Sequence, residues 1–321
     1  MTINTEMKVR VAKITQVADQ VKRFRFERVD GQPMPVFSGG AHVIVSMRDG
    51  KALRRNPYSL MSSPADTAGY EISVLRVENS RGGSAFLHET LKEGDELVLS
   101  QPVNLFAYDH RGKKHIMMAG GIGITPFIAM MDQMEREGKN FELHYAVRTR
   151  THGAYWKELQ QRYGAHRVKV YCDAEKLFIP VEKVLENQPL GTHLYVCGPA
   201  GMINGVLGKA RDLGWPKQNL HSEEFLAPPP GKAFQVKLAK SNRTIDVAPH
   251  QSILEALEAN GVDAPYLCRG GACGQCETGV ISCDGELEHN DHFLEPDDKA
   301  SGKKIMICVS RIKGNAVTLD L

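Results

Sequence analysis

The tightest constraint on this chain is the spacing of four cysteines. Cys268, Cys273 and Cys276 stand as C-x4-C-x2-C, and Cys308 follows thirty-two positions after Cys276. A loop that offers three thiolates, with a fourth from a distant element, is the ligand pattern of a plant-type [2Fe–2S] centre. Two irons in one small cluster need four thiolates wrapped around them. Gly270, Gly271 and Gly274 let the loop bend so that its N–H groups turn towards sulfur. Zinc is the competing reading, but zinc ligands usually come as two CxxC-like couples. Cys283 lies too close in sequence to serve as the distant ligand and, like Cys172, reads as a packed thiol.

Composition narrows the class. The stretch Met1 to Arg10 lacks the apolar core of an export signal, so a cytoplasmic location is expected, where clustered thiols point to metal rather than disulfides. Forty basic against 38 acidic residues leave a charge of +2, too little for a field that would gather nucleic acid or an anionic membrane. Ile116 to Met131 carries no charge, but it is too short for a confident membrane span and is broken by Gly120, Gly121, Gly123 and Pro126. Hydrophobic residues at 42% and a mean hydropathy of −0.31 suit a soluble globular chain.

Two rhythms follow one another along the chain. Val9–Thr15, Val21–Glu27, His42–Met47, Tyr70–Val77 and Glu96–Ser100 read as short strands, many alternating with period two, which suits an antiparallel barrel. After about Asp109, the apolar runs His115–Ala119, Phe141–Val147, Val168–Cys172 and Leu194–Cys197 alternate with helical stretches such as Thr125–Glu137 and Met202–Leu213. That alternation predicts a parallel sheet. The stretch APPPGK, 227–232, reads as a semi-rigid connector. Beyond it lie strand-like runs, a helix over Ser252–Asn260 with Ser252 and Glu255 as a capping box, and the cysteine loop. The expected division is 1–108, 109–226, a linker 227–232, and 233–321.

Gly120, Gly121, Gly123, Thr125 and Pro126 spell GGIGITP between an apolar strand and a helix. Glycines there permit close approach of a pyrophosphate, whose charge a helix N-terminus favours. A tight strand–helix turn needs glycine for packing too, so the turn alone leaves both readings open. Cys197, Gly198 and Pro199 end a later strand, and ligands of open α/β sheets sit at such carboxyl ends. The acid usual at the end of the second strand is replaced by Arg148, Thr149 and Arg150. An arginine there suits a 2′-phosphate or simply solvent, so the residues alone leave NADH and NADPH both open.

Tyr58, Ser59 and Leu60 follow the basic pair Arg54 and Arg55, and Asn79 to Ser84 reads NSRGGS. An aromatic ring to lie along an isoalloxazine, with hydroxyls and N–H groups for one phosphate, is what FMN needs. The same residues read equally as plain turns.

Taken together, YSL, then GGIGITP and CGP, then C-x4-C-x2-C with a distant cysteine, the order resembles the phthalate dioxygenase reductase family across nearly the whole chain. Within it, GGAHVIV (Gly39–Val45) and ENSRGGSAFLH (Glu78–His88) are most similar to carnitine monooxygenase reductase subunits. The resemblance implies a multi-domain β and α/β protein: a flavin-binding antiparallel β-barrel, a ferredoxin-reductase-type NAD-binding α/β domain, and a C-terminal β-grasp [2Fe–2S] ferredoxin. It implies FMN held by Tyr58, Ser59, Leu60, Gly82, Gly83 and Ser84. It places the nicotinamide nucleotide, NADH, at Gly120, Gly121, Gly123, Thr125, Cys197, Gly198 and Pro199. Phe225 matches an aromatic that covers the flavin in the family, and also reads as a core aromatic ending a strand. One departure stands out: the family has arginine two residues before the tyrosine, where this chain has Asn56. Asn56, Arg55 or Arg81 are the substitutes on offer for the phosphate.

The chemistry that follows is that of an NADH-dependent flavin and iron–sulfur oxidoreductase. Nicotinamide gives two electrons at once, the cluster takes one, and flavin handles both. No general acid or nucleophile is expected. The implied partner is a Rieske non-haem iron oxygenase, which chooses the substrate: carnitine-like quaternary amines first, aromatic carboxylates next. Two readings compete with this one, a stand-alone NAD(P)H:acceptor reductase and a non-enzymatic iron–sulfur or zinc module.

Overall fold

The computed structural model describes residues 6–50, 52–79, 81–225 and 230–321. Ala227, Pro228 and Pro229 of the expected linker, and Ser80 of the NSRGGS turn, lie outside the described residues. Two compact units emerge. One holds Met1–Val43, Tyr58–Arg76 and Leu91–Phe225; the other holds Ile44–Pro57, Val77–Thr90 and Leu226–Leu321. Segments 44–57 and 77–90 therefore pack with the C-terminal part of the chain.

The early strands are β1 (Met7–Ala18), β2 (Val21–Arg28), β3 (Ala41–Asp49), β4 (Ala52–Ser59), β5 (Tyr70–Leu75), β6 (Glu96–Leu99) and β7 (Val103–Asn104). In the first unit β1 pairs antiparallel with both β2 and β6, β2 pairs with β5, and the start of β3 pairs with β7. Among the described residues β5 stands at one end of the strand order in the antiparallel sheet of the expected barrel. β1 shows the alternation that makes it a half-buried strand, with Met7, Val9 and Val11 inward and Lys8 and Arg10 outward.

The parallel sheet follows, with β8 (Lys114–Gly120), β9 (Asn140–Val147), β10 (Val168–Cys172), β11 (Thr192–Cys197) and β12 (Leu220–Glu223) in the order β10-β9-β8-β11-β12. Both faces are buried. Met117 and Ala119 of β8 enter one core and Ile116 and Met118 the other, which explains the unbroken apolar run. Each such large apolar side chain taken from water contributes about 1.5–3 kcal/mol. The short helix α1 (Gly83–Ala85) lies in the second unit, whereas α2 (Thr125–Arg136), α3 (Trp156–Tyr163), α4 (Val181–Leu185) and α5 (Ala200–Asp212) belong to the first. In α2 a proline stands in the first turn, and Phe127, Met130, Met131 and Met134 recur at helical spacing on the buried face. The chain runs β8, β9, β10 to one side and then returns to β11 and β12 on the other. The order therefore reverses between β8 and β11, and that gap is where open α/β sheets take ligands.

The C-terminal part holds β13 (Phe234–Leu238), β14 (Arg243–Val247), α6 (Ile253–Ala259), β15 (Glu277–Cys283), β16 (Glu286–Glu288), α7 (Pro296–Ser301), β17 (Lys304–Met306), β18 (Arg311–Lys313) and β19 (Ala316–Leu319). The main sheet runs β14-β13-β19-β15-β17, with β13 and β19 parallel and the other pairs antiparallel. This is the mixed sheet expected of a β-grasp ferredoxin. Ile253, Leu254 and Leu257 of α6 pack on the core formed by Val236, Ile245 and Val317. The helix starts on a complete capping box: Ser252 Oγ accepts from Glu255 N–H, and the Glu255 carboxylate accepts from Ser252 N–H at 2.7 Å. Among the described residues no helix is long and apolar enough to cross a membrane.

Candidate functional site

The cysteine loop gathers what its spacing promised. Cys268, Cys276 and Cys308 are buried and Cys273 is partly so. Cys276 and Cys308, thirty-two residues apart, bring their sulfurs to 3.2 Å. Gly270 N–H donates to Cys268 Sγ at 3.3 Å, the amide-to-sulfur bond expected of the glycines. Hydrogen bonds from Cys273 and Cys308, and then from the N–H groups of Gly270 and Ala272, hold the Cys268 thiol far below its ordinary range. The bond from Cys308 likewise lowers Cys276. All four stand as free thiols, and among the described residues no group of three or more His, Cys, Asp or Glu is arranged to hold one metal ion. Four soft thiol donors, two with their sulfurs 3.2 Å apart and one accepting a bond from a backbone N–H, fit an iron–sulfur cluster. Cys283 at the end of β15 and Cys172 at the end of β10 stand apart from this group.

Glycine is demanded by the loop itself. Gly274 has φ +75°, and a β-carbon there would lie 2.3 Å from the ring of Phe293. Arg269 also takes a left-handed φ of +53°, although it is not glycine. Its guanidinium is buried, lies 3.9 Å from the Tyr266 ring and grips Glu258 of α6 with both terminal nitrogens.

In the first unit the glycine turn lies at the carboxyl end of β8, beside the end of β11. Gly123 packs against the Cys197 carbonyl, and Gly120 against Pro199 and Met202. Gly121, at φ +55°, has open space where a side chain would be. Thr125 Oγ1 donates to Ile122 O at 3.1 Å and begins α2, while Pro199 precedes α5. No acidic residue occupies the first turn of either helix, so both N-termini keep their positive ends for an anion. Cys197 is fully buried, and burial, with the carboxylates of Glu223 and Glu224, raises its thiol well above its usual value. That sulfur stays protonated and unreactive, which suits a contact surface rather than a nucleophile. Ser59 and Leu60 are buried, Tyr58 is half-buried, and Phe225 at the end of the unit is 42% exposed.

In the second unit Asn56 lies directly against Gly83, where a β-carbon would be 2.2 Å from Asn56 Nδ2. Gly82 has φ +105° and packs under the Arg54 guanidinium, whose Nε donates to Arg81 O at 2.7 Å. Ser84 is buried and its hydroxyl accepts from Val77 N–H. Asn56, Gly82, Gly83 and Ser84 are thus brought together. Arg55 and Arg81, the other phosphate candidates, are each engaged by a carboxylate of α6: Arg55 by Glu258 at 2.9 Å and Arg81 by Glu255 at 3.0 Å. Sequence reasoning saw Glu255 only as a cap and missed Glu258. The one local signal was two carboxylates spaced one helical turn apart.

Residues 97–220 match the family described as dimethylamine monooxygenase subunit DmmA-like, N-terminal domain, and residues 236–313 match the 2Fe-2S iron-sulfur cluster binding domain. The carnitine monooxygenase reductase subunit of Acinetobacter baumannii is 44% identical over 313 residues, 97% of this chain and 96% of that one. The heme-dependent oxidative N-demethylase beta subunit of Ectopseudomonas mendocina is 43% identical over 319 residues, covering 99% of this chain and all of that one. The solved structure of phthalate dioxygenase reductase, described as modular for electron transfer from pyridine nucleotides to [2Fe-2S], superposes with a TM-score of 0.90 at 34% identity, covering 98% of each chain. The chain belongs to the phthalate dioxygenase reductase family, the oxidoreductases that serve as reductase subunits of oxygenase systems.

Proposed function

We propose that this reductase subunit oxidises NADH and passes the electrons, through bound FMN and one [2Fe–2S] cluster, to a Rieske non-haem iron oxygenase. The observation that carries the reading is the convergence of Cys276 and Cys308 across thirty-two residues, in a chain whose parallel sheet also presents a glycine-lined switch point. Cys268, Cys273, Cys276 and Cys308 supply the four thiolates. Gly120, Gly121, Gly123 and Thr125, with Cys197, Gly198 and Pro199, receive the nicotinamide nucleotide. Tyr58, Ser59 and Leu60 receive the flavin ring, Asn56, Gly82, Gly83 and Ser84 its phosphate, and Phe225 covers it. The modules are residues 1–108, 109–226 and 233–321, with 227–232 between the last two. Bound FMN would supply the change from two-electron to one-electron chemistry, accepting a hydride from the nicotinamide and passing its electrons one at a time to the cluster, which would hold one before handing it on, while the proton goes to solvent. The protein's own contribution is placement: backbone N–H groups at two helix starts for phosphates, and thiolates for iron.

The oxygenase selects the substrate, and carnitine-like quaternary amines are the first class to test. A second reading has its own support: the relative named for a heme-dependent oxidative N-demethylase, 43% identical, makes a haem protein the alternative acceptor. Mixing the NADH-reduced protein anaerobically with each partner separates the two. Bleaching of a Rieske cluster supports the first reading, and a shift of the haem Soret band supports the second. Transfer to neither, with turnover of small soluble acceptors alone, would favour a stand-alone reductase.

A further inference from the structure

Within the second unit one carboxylate joins two segments that the sequence keeps two hundred residues apart. Glu258 Oε2 accepts from Arg55 Nη1 at 2.9 Å and from Arg269 Nη1 at 3.1 Å, while Glu258 Oε1 accepts from Arg269 Nη2. Arg55 lies on β4, next to Asn56. Arg269 lies in the cysteine loop, next to Cys268, with its backbone in the left-handed region. One helical turn earlier on α6, Glu255 holds Arg81, the residue before the Gly82–Gly83 turn. Glu258 is 18% exposed at its side chain and Arg269 only 3%. The pair is therefore poorly screened, and Arg269 would be left a buried, uncompensated charge without it.

We propose that Glu258 is a positioning residue for electron transfer from flavin to cluster, holding the strand of the flavin phosphate site and the loop of the cluster in fixed register. The inference rests on the flavin and cluster assignments above. Capping explains Glu255, but nothing in α6 itself requires Glu258: the helix ends two residues later on Asn260, whose N–H and side chain bond back to the helix. What Glu258 joins is a strand and a loop, each next to the residues assigned to one redox group. Electron transfer falls steeply with separation, so a small loss of register costs rate without removing either group.

Stopped-flow mixing with NADH, anaerobically and with FMN saturating, reads both steps in one trace. In Glu258→Gln the cluster phase should slow by at least about tenfold relative to the flavin phase, and Glu258→Asp should restore part of it. Arg55→Gln should slow the same ratio, and the double variant should be no slower than the worse single one, because both act through one link. A melting temperature lowered without any change in that ratio would show a merely structural role and overturn the proposal. If Glu258→Gln fails to hold its cluster, Arg55→Gln, which leaves the Arg269 pair intact, decides by the same ratio. Wild-type protein lacking flavin or cluster absorbance would instead sink the cofactor assignments themselves.

Discussion

The main-chain oxygen of Cys197 faces Gly123 so closely that a β-carbon on Gly123 would stand 2.2 Å from it. No side-chain rotation relieves a collision between two backbones. Gly123→Ala should therefore push β8 and β11 apart at the proposed nucleotide site, costing about 1–3 kcal/mol of stability and raising the KM for NADH. Thermal melts and steady-state kinetics check both, and an alanine variant that matches wild type in each would refute the assignment.

The four-thiol reading sorts the seven cysteines. Cys276→Ser and Cys308→Ser should lose the iron–sulfur absorption and cluster-dependent transfer while the flavin still takes a hydride. Cys172→Ser and Cys283→Ser should keep about two irons per chain. Iron and acid-labile sulfide analysis gives the answer directly.

Three histidines on neighbouring strands make stability sensitive to mild acid. His115 of β8 is fully buried, and burial, followed by the nearby His193, lowers its pKa to about 4. His193 of β11 and His221 of β12 meet at 3.0 Å and are lowered as well, chiefly by burial. Each folded value lies below the ordinary 6.5, so the unfolded chain binds more protons. Stability is full above pH 6.5 and falls as pH drops from there towards 4, by at most about 1.4 kcal/mol per pH unit per site. Carboxylates such as Glu142, held down to about 2 mainly by His144, lose their contribution only below about pH 4.5. His115→Phe should flatten the fall in melting temperature between pH 7 and 5. An unchanged slope would show that these imidazoles are not its source.

Preference between NADH and NADPH is expected to turn on one ion pair. Arg150, after β9, is held by Glu175 through two bonds at 2.8 and 2.7 Å and lies over the Trp156 ring. A guanidinium so engaged offers little to a 2′-phosphate, and the carboxylate repels one. Glu175→Gln should raise kcat/KM for NADPH relative to NADH by about tenfold. An unchanged ratio would place the preference elsewhere.

Much of this was legible in the sequence because it is local. Val168–Cys172 is a strand from its apolar pattern alone, Thr125 and Pro126 mark a helix start, and Ser252 with Glu255 forms a capping box within four residues. The C-x4-C-x2-C spacing with its distant fourth cysteine is by itself the signature of the cluster. β4 was not legible as a strand: ALRRNPYS has two arginines and a proline and no apolar alternation, and it is ordered by lying beside β3. α3 was missed because only Leu159 and Tyr163 of WKELQQRY are buried, too sparse a stripe to announce a helix. The engagement of Arg55 by Glu258 spans 203 positions, and no local pattern encodes a contact of that kind.

An anaerobic titration with NADH under visible absorption reads the internal relay itself. Uptake of about three electrons per chain is expected, two on flavin and one on the cluster, with both sets of bands bleaching. Full occupancy of both groups with neither bleaching by NADH, or a colourless protein that carries zinc, would contradict it.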